Sequence, residues 1–139
     1  MSRIKIPLPE KKDFSTEIKL RISDINYGGH MGNDAVLTIV HEARLRFLNH
    51  FHLSETNFYG QGLLMTDSAV VYKKQVFYGD KLTIDITVTE FSKYGFELVY
   101  LILNIDKKEV SRVKTGLVCY DYSKKEIVPL PNLFREKFC

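Results

Sequence analysis

A chain of 139 residues is long enough to bury one hydrophobic core but too short for two domains of ordinary size, so we predict a single domain over 1–139. Its composition, 45% hydrophobic and 27% charged, is typical of globular proteins, and no window approaches the roughly 18 apolar residues of a membrane span. The formal net charge of +3 comes with scattered lysines and no arginine-rich tract, which argues against a nucleic-acid partner.

The N-terminal segment, residues 1–14, carries two of the four prolines and is predicted to be an extended lead-in to the fold. It lacks the apolar core of a signal peptide, so we expect a cytoplasmic protein. The two cysteines, Cys119 and Cys139, form neither a disulfide framework nor a metal-ligand motif. We therefore expect a reducing compartment and no metal site.

The first regular elements are a strand and a helix joined by a glycine-rich loop. In FSTEIKLRIS, Ile18, Leu20 and Ile22 alternate with polar and charged residues, which predicts a half-buried strand. After the loop, Asn33 is the predicted N-cap of a helix over 34–48, with a carboxylate in its first turn. This helix is apolar on nearly every side, which indicates that other elements enclose it.

The remainder of the chain is predicted to form an antiparallel meander. Four runs rich in β-branched and aromatic residues are separated by turn signals, at 67–77, 81–91, 96–106 and 109–122.

The run KLTIDITVTE shows which way the predicted sheet faces. Its alternation places Leu82, Ile84, Ile86 and Val88 towards a core and the threonines between them towards water. The apolar sheet face needs a cover, and the predicted helix is the one long apolar element available. We therefore predict an α+β fold in which a curved antiparallel sheet of about five strands wraps round one long central helix.

The stretch from the loop into the helix, SDINYGGHMGNDAVLTIVHEARLRF, resembles a known family. It is similar to the hot-dog fold acyl-CoA thioesterases, and most of all to the 4-hydroxybenzoyl-CoA thioesterase-like branch. Members of that branch carry two aspartates one residue apart, then Gly-His-Val-Asn-Asn, an aromatic residue and Glu-Ala-Arg. Without a gap, the corresponding positions here are Asp24, Asn26, Gly29-His30, Gly32-Asn33 and Glu42-Ala43-Arg44.

Two of these positions depart from the family pattern. The acidic residue that commonly acts as nucleophile or general base falls on Asn26, and the first asparagine of the pair falls on Gly32. Further matches, a Tyr-Gly-Asp turn before residue 81 and Leu-Pro after the last strand, extend the resemblance over most of the chain.

The resemblance implies an acyl-CoA thioesterase, which hydrolyses a thioester to a free acid and coenzyme A. Coenzyme A belongs to the substrate, and no other cofactor is implied. The family also implies a homodimer or a dimer of dimers, in which two helices run side by side and the site is shared. Two other functions stay open: a non-catalytic acyl-CoA or acyl-carrier binding protein, which Asn26 favours, and a hot-dog dehydratase.

The catalytic candidates in the loop are Asp24, Asn26, His30 and Asn33. The resemblance implies that the backbone amide of Asn33 polarises the thioester carbonyl, which suits the open N–H groups of a helix start. His30 is a candidate general acid or base, because imidazole titrates near neutrality, and equally a histidine that fixes the turn. Asp24 is expected to brace the loop and to orient His30. Asn26 can position a water or a carbonyl oxygen but cannot take a proton.

Two further catalytic candidates lie on the helix. Asp34 would sit where the thioester lies, although the helix dipole alone explains a carboxylate there. Glu42 lies roughly 13 Å along the helix axis from Asn33, so it would serve a partner's site or else pair with Arg46 one turn further on.

The residues predicted to bind substrate are Tyr27, Gly28, Gly29, Met31, Gly32, Phe58, Tyr59, Lys73 and Lys74. The glycines, the aromatic residues and the lysines among them each have a structural alternative. The glycines suit a backbone with positive φ, the aromatic residues and Phe77 suit a core, and the lysines suit solvated surface. Lys93, Lys124 and Lys125 are further candidates to contact the phosphates of coenzyme A.

Overall fold

An antiparallel sheet of six strands forms the body of the structure, a computed structural model that describes residues 3–139. The strands are β1 (Phe14–Lys19), β2 (Gly62–Tyr72), β3 (Lys81–Thr89), β4 (Gly95–Leu103), β5 (Glu109–Asp121) and β6 (Glu126–Val128). A 3-10 turn at Ile22–Asp24 follows β1, and the helices are α1 (Ala35–His50) and α2 (Asn132–Phe138). Neither helix of this described range has the length and hydropathy that a membrane crossing requires.

The strand order across the sheet is β1-β3-β4-β5-β2, and every neighbouring pair is antiparallel. The short β6 pairs with the end of β5, where Cys119 faces Leu63 of β2 on one side and Val128 of β6 on the other. Within residues 3–139, β2 pairs on one side only and is therefore an edge strand. An edge of this kind can accept a strand from another chain.

Helix α1 packs on the sheet through one broad apolar stripe. Val36, Val40, Ala43 and Phe47 recur at helical spacing and are almost completely buried. They share one core with the inward-facing residues of β3, as the strand alternation predicts, namely Leu82, Ile84, Ile86 and Val88. On the opposite face of α1, Leu37 and Leu45 remain 37% and 40% exposed, so the sheet encloses only one side of the helix.

Several elements differ from the sequence predictions. The first strand ends at Lys19, and Ile22 is exposed because the backbone has turned into the 3-10 segment. Helix α1 begins and ends later than the predicted 34–48. There are six strands where about five were predicted, and α2 forms a second helix. With three and seven residues, β6 and α2 are too short for a periodic pattern to reveal.

The N-terminal segment lies across the outer face of the sheet. It has no regular secondary structure over residues 3–13, and Ile6 within it is buried. Thr87 of β3 donates to the carbonyl oxygen of Lys11 over 2.8 Å, and Val88 N donates to Asp13 Oδ2 over 2.8 Å. The expectation that the β3 threonines all face water is therefore wrong for Thr87, which this segment covers.

A buried polar network joins α1 to the sheet. Arg44 is 5% exposed and donates to Glu55 Oε2 over 3.0 Å and to the Tyr100 hydroxyl over 3.2 Å. That hydroxyl lies 2.8 Å from the Thr115 hydroxyl, and His41 Nε2 lies 2.8 Å from Glu55 Oε1. Burial alone would raise the pKa of Glu55, but the hydrogen bonds from His41 and Arg44 outweigh it and lower that pKa. Glu55 is therefore ionised and pairs with Arg44.

The Glu55→Gln variant is expected to lose stability less steeply in acid than the wild type. Because the folded-state pKa of Glu55 is depressed, its contribution is present above the ordinary pKa of 4.5 and is lost as pH falls through the folded value. The free energy of unfolding should be measured with urea from about pH 7 to about pH 3. Glu126→Gln, at an exposed position of β6, is the control, and a Glu55→Gln curve parallel to the wild type would contradict the expectation.

Candidate active site

The glycine-rich loop between β1 and α1 folds back on itself as a tight turn. Asn26 N donates to the His30 carbonyl and Gly29 N donates to the Asn26 carbonyl, each over 3.0 Å. Gly29 lies between them with a φ of 88°, a conformation that glycine adopts without strain. Met31 N donates to the Val76 carbonyl over 2.8 Å, which holds the loop against the connection from β2 to β3.

Asp24 and Asn26 both use their side chains to hold this loop. Asp24 is 3% exposed, and its Oδ2 accepts a hydrogen bond from Arg21 N over 2.9 Å. Its backbone carbonyl accepts from Gly32 N over 3.2 Å. Asn26 Oδ1 accepts from Gly28 N over 2.8 Å. Asp24 thus braces the loop, but the expectation that it orients His30 is wrong, because its carboxylate is bound to Arg21.

A backbone carbonyl orients His30 instead. Its Nδ1 lies 3.0 Å from the Met31 carbonyl oxygen. Since a carbonyl only accepts, Nδ1 must carry the proton of the neutral ring, and this assignment leaves the lone pair on Nε2. Across residues 3–139, Nε2 has no hydrogen-bond partner, and the side chain is half-buried. The imidazole is therefore oriented, and its Nε2 can accept a proton.

The start of α1 presents two backbone N–H groups that have no acceptor in the described chain. Ala35 N donates to the Gly32 carbonyl over 3.0 Å, whereas the N–H groups of Asn33 and Asp34 make no such bond. The prediction of Asn33 as the N-cap is wrong: Asp34 is the N-cap, its side chain makes no capping bond, and the helix begins at Ala35. Open donors at a helix start are suited to bind an oxyanion.

The loop glycines are needed for two different reasons. Of Gly28, Gly29 and Gly32, only Gly29 has the positive φ that the sequence predicts for them. At Gly32, a Cβ would lie 2.5 Å from Asp34 Oδ1, so the absence of a side chain makes room for that carboxylate. At Gly28, the corresponding distance to Asn26 Oδ1 is 3.0 Å. Close approach of neighbouring side chains therefore explains the second and third glycines better than φ does.

A cavity of about 260 Å³, which we call the loop cavity, opens beside His30 and the start of α1. It brings His30, Met31 and Asn33 of the loop together with Lys73 and Lys74, which follow β2. All five are residues that the sequence predicts for the site. The complete lining is His30, Met31, Asn33, Val36, Tyr72, Lys73, Lys74, Gln75, Val76, Val110 and Ser111.

A smaller cavity of about 230 Å³ lies beside the same loop and has a separate set of residues. Asp24, Asn26, Gly32 and Asp34 are among its lining residues, with Thr38 of α1. The structure therefore divides the predicted catalytic residues of the loop into two groups. His30 and Asn33 share the loop cavity, and Asp24, Asn26 and Asp34 share the smaller one.

Glu42 lines neither cavity. Its Oε2 accepts from Arg46 Nε over 2.9 Å on the exposed face of α1, which is the pairing that the helical spacing predicts. Within one chain, Glu42 is thus separate from the other catalytic candidates.

Several predicted substrate-binding residues lie outside both cavities. Tyr27 is fully exposed, while Phe58 is completely buried, with its ring centroid 4.9 Å from that of Phe134 on α2. Tyr59, also predicted to bind substrate, packs edge-on against Phe58 in the same aromatic cluster. The core alternative therefore describes Phe58 and Tyr59 better. Phe77 is exposed beside His30, and Lys93, Lys124 and Lys125 lie on turns.

The sequence predictions missed residues that the sheet brings to the loop cavity. The Tyr72 hydroxyl donates to the Asn33 carbonyl over 3.2 Å, although the two residues are far apart in the chain. Ser111, the cross-strand partner of Tyr72, is buried beneath it. Only the strand register, which a single sequence does not reveal, places these residues beside the loop.

Comparison with known proteins identifies a family and several relatives. A family model described as the thioesterase-like superfamily matches residues 20–138. The 1,4-dihydroxy-2-naphthoyl-CoA hydrolase of Microcystis aeruginosa is 28% identical over 114 residues, which cover 80% of this chain and 82% of that protein. The enzyme of the same name from Synechocystis is 25% identical over 130 residues, which cover 91% and 94%.

A solved structure shows the same fold. The crystal structure of a 1,4-dihydroxy-2-naphthoyl-CoA thioesterase from Synechocystis superimposes with a TM-score of 0.81 at 24% sequence identity. The match covers 91% of this chain and 95% of that chain. The predicted arrangement of a curved antiparallel sheet packed on a central helix therefore has a close counterpart among solved thioesterase structures.

Proposed function

Since the chain belongs to the thioesterase-like superfamily, it is a hydrolase of acyl-CoA thioesters, and we propose that its substrates are aryl-CoA thioesters. Two observations support a ring in the acyl group. The curated relatives are named for 1,4-dihydroxy-2-naphthoyl-CoA, and the loop motif resembles the 4-hydroxybenzoyl-CoA branch. Met31, Val36, Val76 and Val110 supply apolar surface in the loop cavity against which a ring can pack.

In the proposed mechanism, the thioester carbonyl oxygen binds at the start of α1. The free N–H group of Asn33, which lines the loop cavity, donates to this oxygen, whose negative charge grows as the carbonyl carbon becomes tetrahedral. One such donor lowers the barrier by roughly 3 kcal/mol. The positive end of the helix macrodipole acts in the same sense.

His30 acts as the general base of this mechanism. Its Nε2 takes a proton from a water molecule while the water oxygen forms a bond to the carbonyl carbon. When the tetrahedral intermediate collapses, the C–S bond breaks and the imidazolium returns the proton to the leaving sulfur. The products are the free acid and coenzyme A. The observation that carries the proposal is that His30 and Asn33 line one cavity.

Asn26 takes no part in the proton transfer. An amide side chain cannot act as a base near neutral pH, and its Oδ1 already accepts a hydrogen bond from Gly28 N. In the proposed mechanism, the imidazole of His30 in the loop cavity takes the chemical role of the carboxylate that the family has at this position.

We also propose that a second copy of the chain completes the site. Strand β2 has eleven residues and one unpaired edge in the described chain, and Leu37 and Leu45 are exposed on the outer face of α1. A partner that extends β2 would place its own α1 beside this face. Glu42, on the same face as Leu45, would then approach the partner's site. Light scattering should give a mass of at least twice 16.1 kDa.

A substrate panel tests the proposed function. Purified protein would receive 1,4-dihydroxy-2-naphthoyl-CoA, 4-hydroxybenzoyl-CoA and straight-chain acyl-CoAs of short and long chain, while free thiol is followed with a thiol reagent. Because Cys139 is an exposed thiol, the assay should use the Cys139→Ser variant. We expect kcat/KM for an aryl-CoA to exceed that of every straight-chain thioester by about tenfold or more.

Two results would contradict the proposal. A preference for straight-chain acyl-CoAs would contradict the assignment of aryl-CoA substrates but not the hydrolase activity. Release of thiol from none of the substrates, with tight binding of one, would show a non-catalytic binding protein.

A further inference from the structure

A third cavity, of about 430 Å³, lies between the N-terminal segment and the ends of β2 and β5. Its charged lining residues are Arg3, Lys5, Lys73 and Arg112, and we call it the basic groove. Neither the proposed mechanism nor the comparisons with known proteins assign a role to it.

The basic groove and the loop cavity lie on opposite faces of the same strand ends. Val71 and Arg112, which are cross-strand partners, line the groove, whereas the next pair along, Tyr72 and Ser111, lines the loop cavity. Successive side chains of a strand point to opposite faces, so the two pairs face away from each other. Lys73, at the end of β2, lines both cavities. One ligand that passes Lys73 can therefore occupy both.

An ion-pair cluster builds the groove. Glu109 accepts from Lys73 Nζ and from Arg112 Nη2, each over 3.0 Å. Arg112 Nη1 donates to the carbonyl oxygen of Ile6 over 3.0 Å and so holds the N-terminal segment beside Lys73. The hydrogen bonds from Arg112 keep the pKa of Glu109 below its ordinary value, against the effect of burial, so the carboxylate is ionised.

The groove nevertheless retains an excess of positive charge. Glu109 is a single carboxylate among four basic side chains, and Arg3 and Lys5 make no ion pair with any residue from 3 to 139. Cations gathered in a concave site without matching carboxylates attract an anion. A phosphate suits them in particular, because a guanidinium binds two phosphate oxygens at once.

We propose that the basic groove binds the 3′-phosphorylated adenosine of coenzyme A, with Arg3 and Lys5 as ligands of the 3′-phosphate. This inference rests on the proposed function, because it assumes an acyl-CoA with its thioester in the loop cavity. Lys73 and Lys74 then lie where the pyrophosphate crosses the strand ends, and Ile4 and Pro7 provide apolar surface for the adenine. Arg112 is a positioning residue that holds the N-terminal segment in place.

Calorimetry with coenzyme A and with dephospho-coenzyme A, which lacks only the 3′-phosphate, tests this inference. The wild type is expected to bind coenzyme A about tenfold more tightly than the dephospho form. The Arg3→Gln/Lys5→Gln double variant should bind both with the wild-type Kd for dephospho-coenzyme A. Its KM for an acyl-CoA substrate should rise, with kcat unchanged, because these residues do not contact the thioester.

A matched control is Lys19→Gln/Lys81→Gln, which removes the same charge from an exposed cross-strand pair of β1 and β3, outside the loop cavity and the basic groove. This variant should keep the wild-type preference for coenzyme A over dephospho-coenzyme A. That result would separate contacts within the groove from the effect of the protein's overall positive charge.

Two results would contradict the proposal that the basic groove binds the 3′-phosphate. One is equal binding of coenzyme A and dephospho-coenzyme A by the wild type. The other is a preference for coenzyme A that survives in Arg3→Gln/Lys5→Gln. If the preference depends on Arg3 and Lys5 but no thioester is hydrolysed, the groove binds the 3′-phosphate and the proposed function is wrong. If thioesters are hydrolysed but the preference does not depend on Arg3 and Lys5, only the role proposed for the groove is wrong.

Discussion

Replacing His30 with glutamine is expected to lower kcat by about 10²-fold to 10⁴-fold, the usual contribution of a general base. Glutamine can retain a hydrogen bond to the Met31 carbonyl, so the loop should keep its conformation, but the variant loses the lone pair of Nε2. The KM for the aryl-CoA should change little, because the free N–H group of Asn33 still binds the carbonyl oxygen. Steady-state kinetics on the best substrate of the panel would measure both constants.

The control for this experiment is His52→Asn. His52 is exposed after α1, lies outside the loop cavity and has a φ of 61°, which asparagine tolerates. Its kcat should equal that of the wild type. Asp34→Asn should also be measured, because Asp34 is the other ionisable group at the helix start. Wild-type kcat in His30→Gln together with a large loss in Asp34→Asn would transfer the role of base to Asp34.

The Arg44→Met variant is expected to unfold with a free energy about 3 kcal/mol below that of the wild type. Methionine fills much of the volume of the arginine stem, but it leaves the Glu55 carboxylate without its buried cationic partner and removes a donor from Tyr100. The loss in free energy of unfolding should lie at the lower end of the range for a broken buried ion pair, because Glu55 retains some solvent exposure and its contact with His41. Urea denaturation at neutral pH would measure it.

Arg46→Met provides the comparison, because Arg46 lies two residues beyond Arg44 on the other side of α1. Its contacts with the Thr16 hydroxyl and the Glu17 carbonyl of β1 are exposed. Arg46 pairs with Glu42 on the exposed face of α1, where an ion pair contributes about 1 kcal/mol or less. A double-mutant cycle of Arg44→Met with Glu55→Gln should show coupling, because each change removes the partner of the other. Equal losses in Arg44→Met and Arg46→Met, or additive effects in the cycle, would contradict the role given to the network.

Local pattern predicted the elements whose period is long and regular. The alternation in β3 correctly placed Leu82, Ile84 and Ile86 in the core, and the helical spacing correctly placed Val40 and Phe47 there. The same reasoning failed where a pattern is short or ends. It extended the first strand to Ser23, four residues beyond its end at Lys19, and it overlooked β6 and α2. The compartment and the single-domain assignment remain predictions.

The site was predicted in part, and for a physical reason. The loop motif predicted His30 and Asn33, and Lys73 and Lys74 were predicted separately as substrate contacts; all four line one cavity. It did not show that the Asp24 carboxylate is bound to Arg21, or that Phe58 is buried against α2. Both outcomes depend on which groups come into contact in the folded chain, and the sequence pattern does not specify those contacts.

The sequence by itself determined the strand and helix periods, the glycine-rich start of α1 and the family to which the loop belongs, because these are properties of neighbouring residues. Only the tertiary structure decided which polar groups share a cavity. The sheet register brings Tyr72 and Ser111 to the loop, and Arg112 holds the N-terminal segment beside Lys73. Such contacts join residues far apart in the chain, and no local pattern encodes them.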